Sequence, residues 1–393
     1  MTLGLFAQGI FWLSLLALIY TYVGYPIIVY IVSIIFPKTI RKGAFEPRVT
    51  VLITAYNEEE AIRSKLENTL QIEYPADKLE ILVASDGSSD RTDEIVKEFE
   101  SKGVRLFRQE GRKGKTFTQN KAVEQSSGEI ILFSDATTEY KPNVLRAILP
   151  NFADEEVGCA AGKLIYIDSS DSGVGKGAKS YWNYETFLKK SESRACSLIG
   201  VSGCLYAVRK SAYEPMYPEA CSDFLICTLL YKQGLRSVYE PSAVCTEETN
   251  QRTDKEMKMR VRVISQTFTD LWRNRRMMNP FHSGFYAIEL ISHKLFRYAV
   301  PVFLLLTLST SAFMAFSSRA FALIFGLQVV FYFAALVGWI FENRGVRLRV
   351  FAIPLYFVLA NLASLLGFYK FLSGERYATW EPIRDKKEKE VST

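Results

Sequence analysis

Four stretches of this chain, Leu3–Phe36, Tyr298–Phe316, Ala320–Phe341 and Val350–Tyr369, contain no charged residue. Each is long enough to cross a hydrocarbon core of roughly 30 Å as a helix, and a helix is one of only two backbone forms that satisfy their own hydrogen bonds in lipid. The sequence therefore predicts membrane helices at both ends of a water-soluble middle. The first stretch is longer than the apolar core of a secretory signal and lacks a basic start and a small-residue cleavage site, which predicts a retained anchor. Lys38, Arg41, Lys42 and Arg48 follow it at once, so the positive-inside rule puts the middle in the cytosol.

Six cysteines show no CxxC spacing, and with only two histidines, His282 and His293, there is no zinc pattern. Reduced thiols follow. The net charge of +6 is modest for 393 residues, and the bases cluster beside the apolar segments. That pattern suits anionic lipid, and no nucleic-acid partner is expected.

Between about Arg48 and Arg276, β-branched runs alternate with amphipathic stretches, the signature of an α/β domain with a mostly parallel sheet. Strands are predicted at 49–54, 80–84, 104–107 and 130–133. In open α/β sheets the ligand crevice lies beyond the carboxyl ends of the strands. Here those ends carry Tyr56-Asn57-Glu58, Ser85-Asp86-Gly87-Ser88 and Ser134-Asp135-Ala136-Thr137. There is no GxGxxG and no Walker lysine motif. The loop Gly111-Arg112-Lys113-Gly114-Lys115 fits either an approach to a diphosphate or a solvated basic turn.

The run Val51–Glu58, then Ser85–Asp90, then Ser134-Asp135-Ala136, resembles the nucleotide-binding half of family 2 glycosyltransferases. Ser202–Arg209 is similar to that family's acceptor-side segment, and Ser222-Asp223-Phe224 with Tyr239-Glu240-Pro241 to its catalytic-base region. The resemblance spans residues 48 to 276 and implies an inverting GT-A enzyme. It makes Asp223 the base that takes the acceptor hydroxyl proton, against a structural alternative in which Asp223 caps the following helix. It implies donor contacts from Tyr56, Asn57, Glu58, Asp86, Lys115, Asp135 and Arg262, and acceptor contacts from Gly203 and Tyr206. A divalent metal, Mg or Mn, would sit on Asp135. The family commonly carries a second carboxylate two residues on, where this chain has Thr137. The Gln-x-x-Arg-Trp motif of processive members is also altered: Met259 stands at the glutamine position and Val263 at the tryptophan position, although Arg262 remains. A solvated basic helix face is the other reading of Arg262.

The expected layout is an anchor (1–40), a cytosolic catalytic domain (41–276), an interfacial helix (277–297), C-terminal membrane segments (298–371) and a charged tail (372–393). Both histidines would be interfacial polar residues. The aromatic run 181–185 reads as core or membrane contact before it reads as a sugar platform. If the last apolar segment crosses, the basic tail lies outside, against the charge rule; an interfacial last segment keeps it inside, as Trp380 and Arg384 suggest by resemblance. The expected activity is sugar transfer from a nucleotide-sugar, a UDP-sugar first, to a lipid-linked or surface-glycan acceptor at the cytosolic face of the cell membrane. Alternatives are a processive polysaccharide synthase and a catalytically silent nucleotide-binding membrane protein.

Overall fold

The computed structural model describes residues 2–167, 173–248, 253–344, 346 and 348–379. Trp380, Arg384 and the rest of the charged tail lie outside them, as do the side chains of Tyr181 and Trp182.

The middle forms one eight-stranded sheet in the order β3-β2-β1-β4-β7-β6-β8-β5. Its first half comprises β1 (Val49–Ala55), β2 (Leu79–Ser85), β3 (Val104–Arg108) and β4 (Ile130–Asp135), all parallel. Every residue of β1 is buried, as a central parallel strand covered by helices on both faces requires. The second half is mixed, with β5 (Glu139–Tyr140), β6 (Val157–Ile167), β7 (Tyr206–Arg209) and β8 (Arg236–Glu248). There β7 runs antiparallel to both β4 and β6, and β8 parallel to β6. Pro241 is tolerated in β8 because the register jumps from Gly162↔Glu240 to Lys163↔Val244, leaving residues 241–243 outside the ladder.

Among the described residues four helices are long and apolar enough to cross a membrane: Leu3–Ile35, Phe285–Ala315, Arg319–Asn343 and Ala352–Leu372. The first two run antiparallel. Phe11 clusters with Met314, and Tyr20 at the other end bonds Ser292 at 2.7 Å. The separate interfacial helix expected at 277–297 is therefore only partly right. From Phe285 onward the chain continues through a π-helical turn, Ile291–Phe296, straight into the membrane helix. His293 is buried, not interfacial: its Nδ1 lies 2.6 Å from Glu192 Oε1, which also accepts the Tyr25 hydroxyl at 2.6 Å. This cluster fastens the anchor to the long helix Gly173–Ala195. The segment after the anchor is fastened too, by the ion pairs Lys42–Glu240 and Arg41–Asp154.

The last apolar helix is held against the catalytic domain. It lies along the helix Thr253–Arg273 of the catalytic domain, with Tyr356 bonded to Arg260 near one end and the Tyr377 carbonyl accepting from Gln266 Nε2 at 2.7 Å beyond the other. Between them Gly367 packs on Ile264 and Val261. Ala378 reaches Gly114, where an added Cβ would collide with its carbonyl. Six residues from Leu372 to Ala378 span at most about 22 Å, too short to return across a core of roughly 30 Å. Residues 377–379 therefore share a side with the catalytic domain.

Candidate active site

The parallel register sets the site. Thr54 is paired with Asp135 and Ala55 with Ser85, so the loops leaving β1, β2 and β4 emerge at one level. Asn57, with φ of 52°, turns its side chain to accept from Ser89 N at 2.8 Å, while its own N–H donates to Ser88 Oγ at 3.1 Å. The loops after β1 and β2 are thereby tied together. Glu58 is buried behind them, its N–H bonded to Thr92 Oγ1 at 2.7 Å. Tyr56 lies at the rim, with the Arg112 guanidinium 4.1 Å from its ring centre.

Asp86 is fully buried, and its oxygens accept the N–H groups of Lys113 (2.8 Å) and Gly114 (2.9 Å) and the Thr118 hydroxyl (2.8 Å). Such donors offset the cost of burying a carboxylate. Its position makes it the clamp that shapes the Gly111–Lys115 loop, so that loop is held rather than loosely solvated. The clamp sets the start of the helix Lys115–Gln125 and aims Lys115 across the cleft.

Lys115 forms an ion pair with Asp135. Burial alone would lower the lysine's pKa, but Asp135 and Asp223 outweigh it, and the ammonium is held above its ordinary value. The third wall comes from Gly203. A Cβ built there would lie 3.2 Å from Lys115 Nζ, 3.5 Å from Asp135 Oδ2 and 3.5 Å from Asp223 Oδ2. Residues from four separate segments thus converge on one point. Arg262, on Thr253–Arg273, is close enough that Asp223 and Asp135 oppose the lowering of its pKa by burial.

Asp223 is not a cap. The helix Ser222–Lys232 has Cys221 at its N-cap with no side-chain cap bond, and Asp223 Oδ1 instead accepts from Cys221 Sγ at 3.0 Å. Behind it stands Asp270, buried, accepting the Tyr217 hydroxyl on one oxygen and Cys221 N on the other at 3.1 Å. Burial pushes Asp270 up to about 8. Below the β4 loop, Lys65 Nζ donates to the Thr138 carbonyl at 2.8 Å, and desolvation lowers this lysine to about 7.

Among the described residues no group of three or more metal-binding side chains occurs. Asp135 and Asp223 offer hard anionic oxygens at the centre, which fits a divalent ion held by few carboxylates and shared phosphate oxygens, not a closed protein cage. Thr137, where a second carboxylate was looked for, donates to Glu247 Oε1 at 2.8 Å. β8 thus brings a carboxylate to the place where the β4 loop lacks one.

Residues 50–216 match the model of the family described as glycosyl transferase family 2. Over these residues the chain is similar to family 2 glycosyltransferases. Over 217 residues it is 30% identical to a Bacillus subtilis protein named "Probable glycosyltransferase YdaM", covering 51% of each chain. Over 205 residues it is 30% identical to the poly-beta-1,6-N-acetyl-D-glucosamine synthase of Staphylococcus aureus, covering 50% of this chain and 49% of that protein. The matched part is thus about half the length of these relatives. The mannosyltransferase PcManGT of Pyrobaculum calidifontis, solved with GDP-Man and Mn²⁺, is similar in fold, with a TM-score of 0.68 at 21% identity over 91% of this chain and 99% of that one.

One expectation about the glycosyltransferase domain is corrected. Tyr206 is not on the acceptor side: it is 1% exposed and stacked on Phe133 with ring centres 4.7 Å apart. β7 pairs Tyr206 directly with Phe133, which fixes the side chain in the core. Sequence reasoning also missed Lys65, Asp270 and Glu247, each of which reaches the site from a distant segment.

Proposed function

We propose that this chain is an inverting glycosyltransferase that moves a sugar from a nucleotide-sugar to a lipid-linked or surface-glycan acceptor at the cytosolic membrane face. The observation that carries this reading is the convergence of Lys115, Asp135 and Asp223 on Gly203. In a single displacement the acceptor oxygen bonds to the anomeric carbon as the bond from that carbon to the diphosphate oxygen breaks, and the hydroxyl proton passes to Asp223. Lys115 and Arg262 supply positive charge where the leaving diphosphate gains negative charge. Asp135 would hold a Mg or Mn ion, as the Mn²⁺ of the archaeal structure supports, and that ion would add to the same charge neutralisation. Tyr56, Asn57 and Glu58 form the wall for the nucleoside, with Asp86 keeping the loop beside it in shape.

The basic run Lys38 to Arg48 supports a cytosolic catalytic domain. The Staphylococcus relative favours processive synthesis as a second reading; Met259 and Val263, in place of the glutamine and tryptophan of processive members, weigh against it. A silent nucleotide-binding protein would have no use for a carboxylate held at the position of Asp223.

The test is turnover. Purified protein in detergent is supplied with Mg or Mn, a panel of UDP- and GDP-sugars, and membrane extract as acceptor source. Metal-dependent release of nucleoside diphosphate with transfer of label to lipid or glycan is expected. Binding of donors without release from any of them would reject the enzymatic reading, and a ladder of long products would favour the processive one.

A further inference from the structure

The two oxygens of Asp223 stand in different surroundings. Oδ1 accepts from Cys221 Sγ at 3.0 Å, whereas Oδ2 lies 3.5 Å from a Cβ built on Gly203. An ionised carboxylate has no proton to give, so the thiol is the donor, and the charge on the acceptor strengthens what is otherwise a weak S–H bond. One oxygen is thus held by the chain itself. The other is turned towards the point where Lys115 and Asp135 meet.

The placement of Oδ1 is as good as the placement of the thiol, and Cys221 is fixed on every side of its backbone. The peptide joining Ala220 to Cys221 donates its N–H to Asp270 Oδ2 at 3.1 Å and accepts the Thr116 hydroxyl on its carbonyl at 2.8 Å. The Cys221 carbonyl accepts from Phe224 N at 2.9 Å and Leu225 N at 2.8 Å, at the start of the helix Ser222–Lys232. Thr116 follows Lys115 on its helix, and Asp270 shares the helix Thr253–Arg273 with Arg262. The thiol therefore hangs from a peptide tied to both elements that carry the cations of the cleft. Cys221 also packs with Cys196, Ile199, Phe224 and Leu271. Packing has no use for the thiol proton, so the two roles can be told apart.

We propose that Cys221 is a positioning residue for the base: its thiol holds Oδ1 of Asp223, so that Oδ2 faces Gly203 and receives the acceptor's proton. This rests on the reading of Asp223 as the base. As the acceptor oxygen bonds to the anomeric carbon, its O–H bond breaks and the proton bonds to Oδ2, while the S–H bond of Cys221 stays intact. Holding one oxygen limits the rotation of the carboxylate, and a base held in line with the hydroxyl acts faster than one that must find it.

The test is steady-state kinetics of the full chain in detergent, with the UDP- or GDP-sugar that supports turnover and membrane extract as acceptor source, on wild type, C221A, C221V and C221S. C221A and C221V are expected to lose roughly tenfold in kcat with the donor KM within about twofold, and C221S, whose hydroxyl can donate the same bond, to recover most of that loss. C221V keeps about the volume of the thiol, so it reports on the bond even where alanine leaves a cavity that unfolds the chain. Wild-type kcat in C221V overturns the proposal. So does an equal loss in C221S and C221V, which would make Cys221 a packing residue only. Infrared difference spectra of wild type against C221S answer without turnover: the Cys221 S–H stretch should lie below that of an unbonded thiol and rise in D223A, and a stretch at the unbonded position overturns the proposal. Wild-type transfer by D223N would remove the base reading and the proposal with it, whereas an inactive D223N beside a fully active C221V would remove the proposal alone.

Discussion

Lys115 and Asp135 form an ion pair on the floor of the cleft, so the carboxylate we propose as a metal ligand already has a cationic partner. A divalent ion must share or displace that ammonium. The variant Lys115→Met is expected to lower the Mn or Mg concentration needed for half-maximal activity while raising the donor KM by about tenfold, since the lysine also serves the diphosphate. Metal titrations at several donor concentrations read both effects. An unaltered metal requirement would separate Asp135 from metal binding.

Asp223→Asn should leave donor affinity within about twofold and reduce transfer by about 10² to 10⁴, the usual contribution of a general base. Nucleotide-sugar binding and single-turnover transfer check the two halves. Transfer at the wild-type rate would remove Asp223 from that role.

Gly203→Ala introduces a methyl group at the point shared by three charged groups, 3.2 to 3.5 Å from each. The backbone there is not left-handed, so the fold should tolerate it. We expect kcat/KM to fall by about 10- to 100-fold with an unchanged melting temperature, because a small displacement of reacting groups is expensive in rate. A loss of stability in proportion to activity would show instead that Gly203 matters only for packing.

Asp270 gives a pH signature. Burial raises its folded pKa to about 8, against hydrogen bonds from Tyr217 and Cys221 that lower it and repulsion from Asp223 that raises it. A carboxyl raised in the fold binds more protons folded than unfolded, so its stabilisation is complete below about pH 4 and is lost as pH rises through about 8. Above that value a second negative charge appears behind Cys221, next to the base. Asp270→Asn, which stays neutral, should move the alkaline limb of the kcat/KM profile upward by about one pH unit and flatten the decline in melting temperature between about pH 4 and pH 8. Superimposable profiles for the two proteins would assign the limb to another group.

The first half of the sheet was legible in the sequence because each strand is a continuous apolar run that ends at a polar cluster. β1 to β4 begin and end within two residues of expectation. β6 and β8 were not foreseen: β6 opens with small residues, Gly158 to Gly162, and β8 contains Pro241 at its register jump, so neither shows a clean strand pattern. In the site, the residues at strand ends were found because their place follows from the sheet alone. Tyr206 was misplaced because it lies three residues from Gly203 but across the entry into β7, where the register decides which face a side chain takes. Asp270, Lys65 and Glu247 reach the cleft only through tertiary packing, and no local spacing announces them. Asp86 was expected to contact the donor, and its visible work is to hold the chain's own loop.

The way the chain leaves the last apolar helix has a consequence for labelling. Tyr377 accepts from Gln266 and Ala378 lies against Gly114, so this part of the chain is on the catalytic domain's own side. A reporter joined after Thr379 would therefore share a compartment with Gly114.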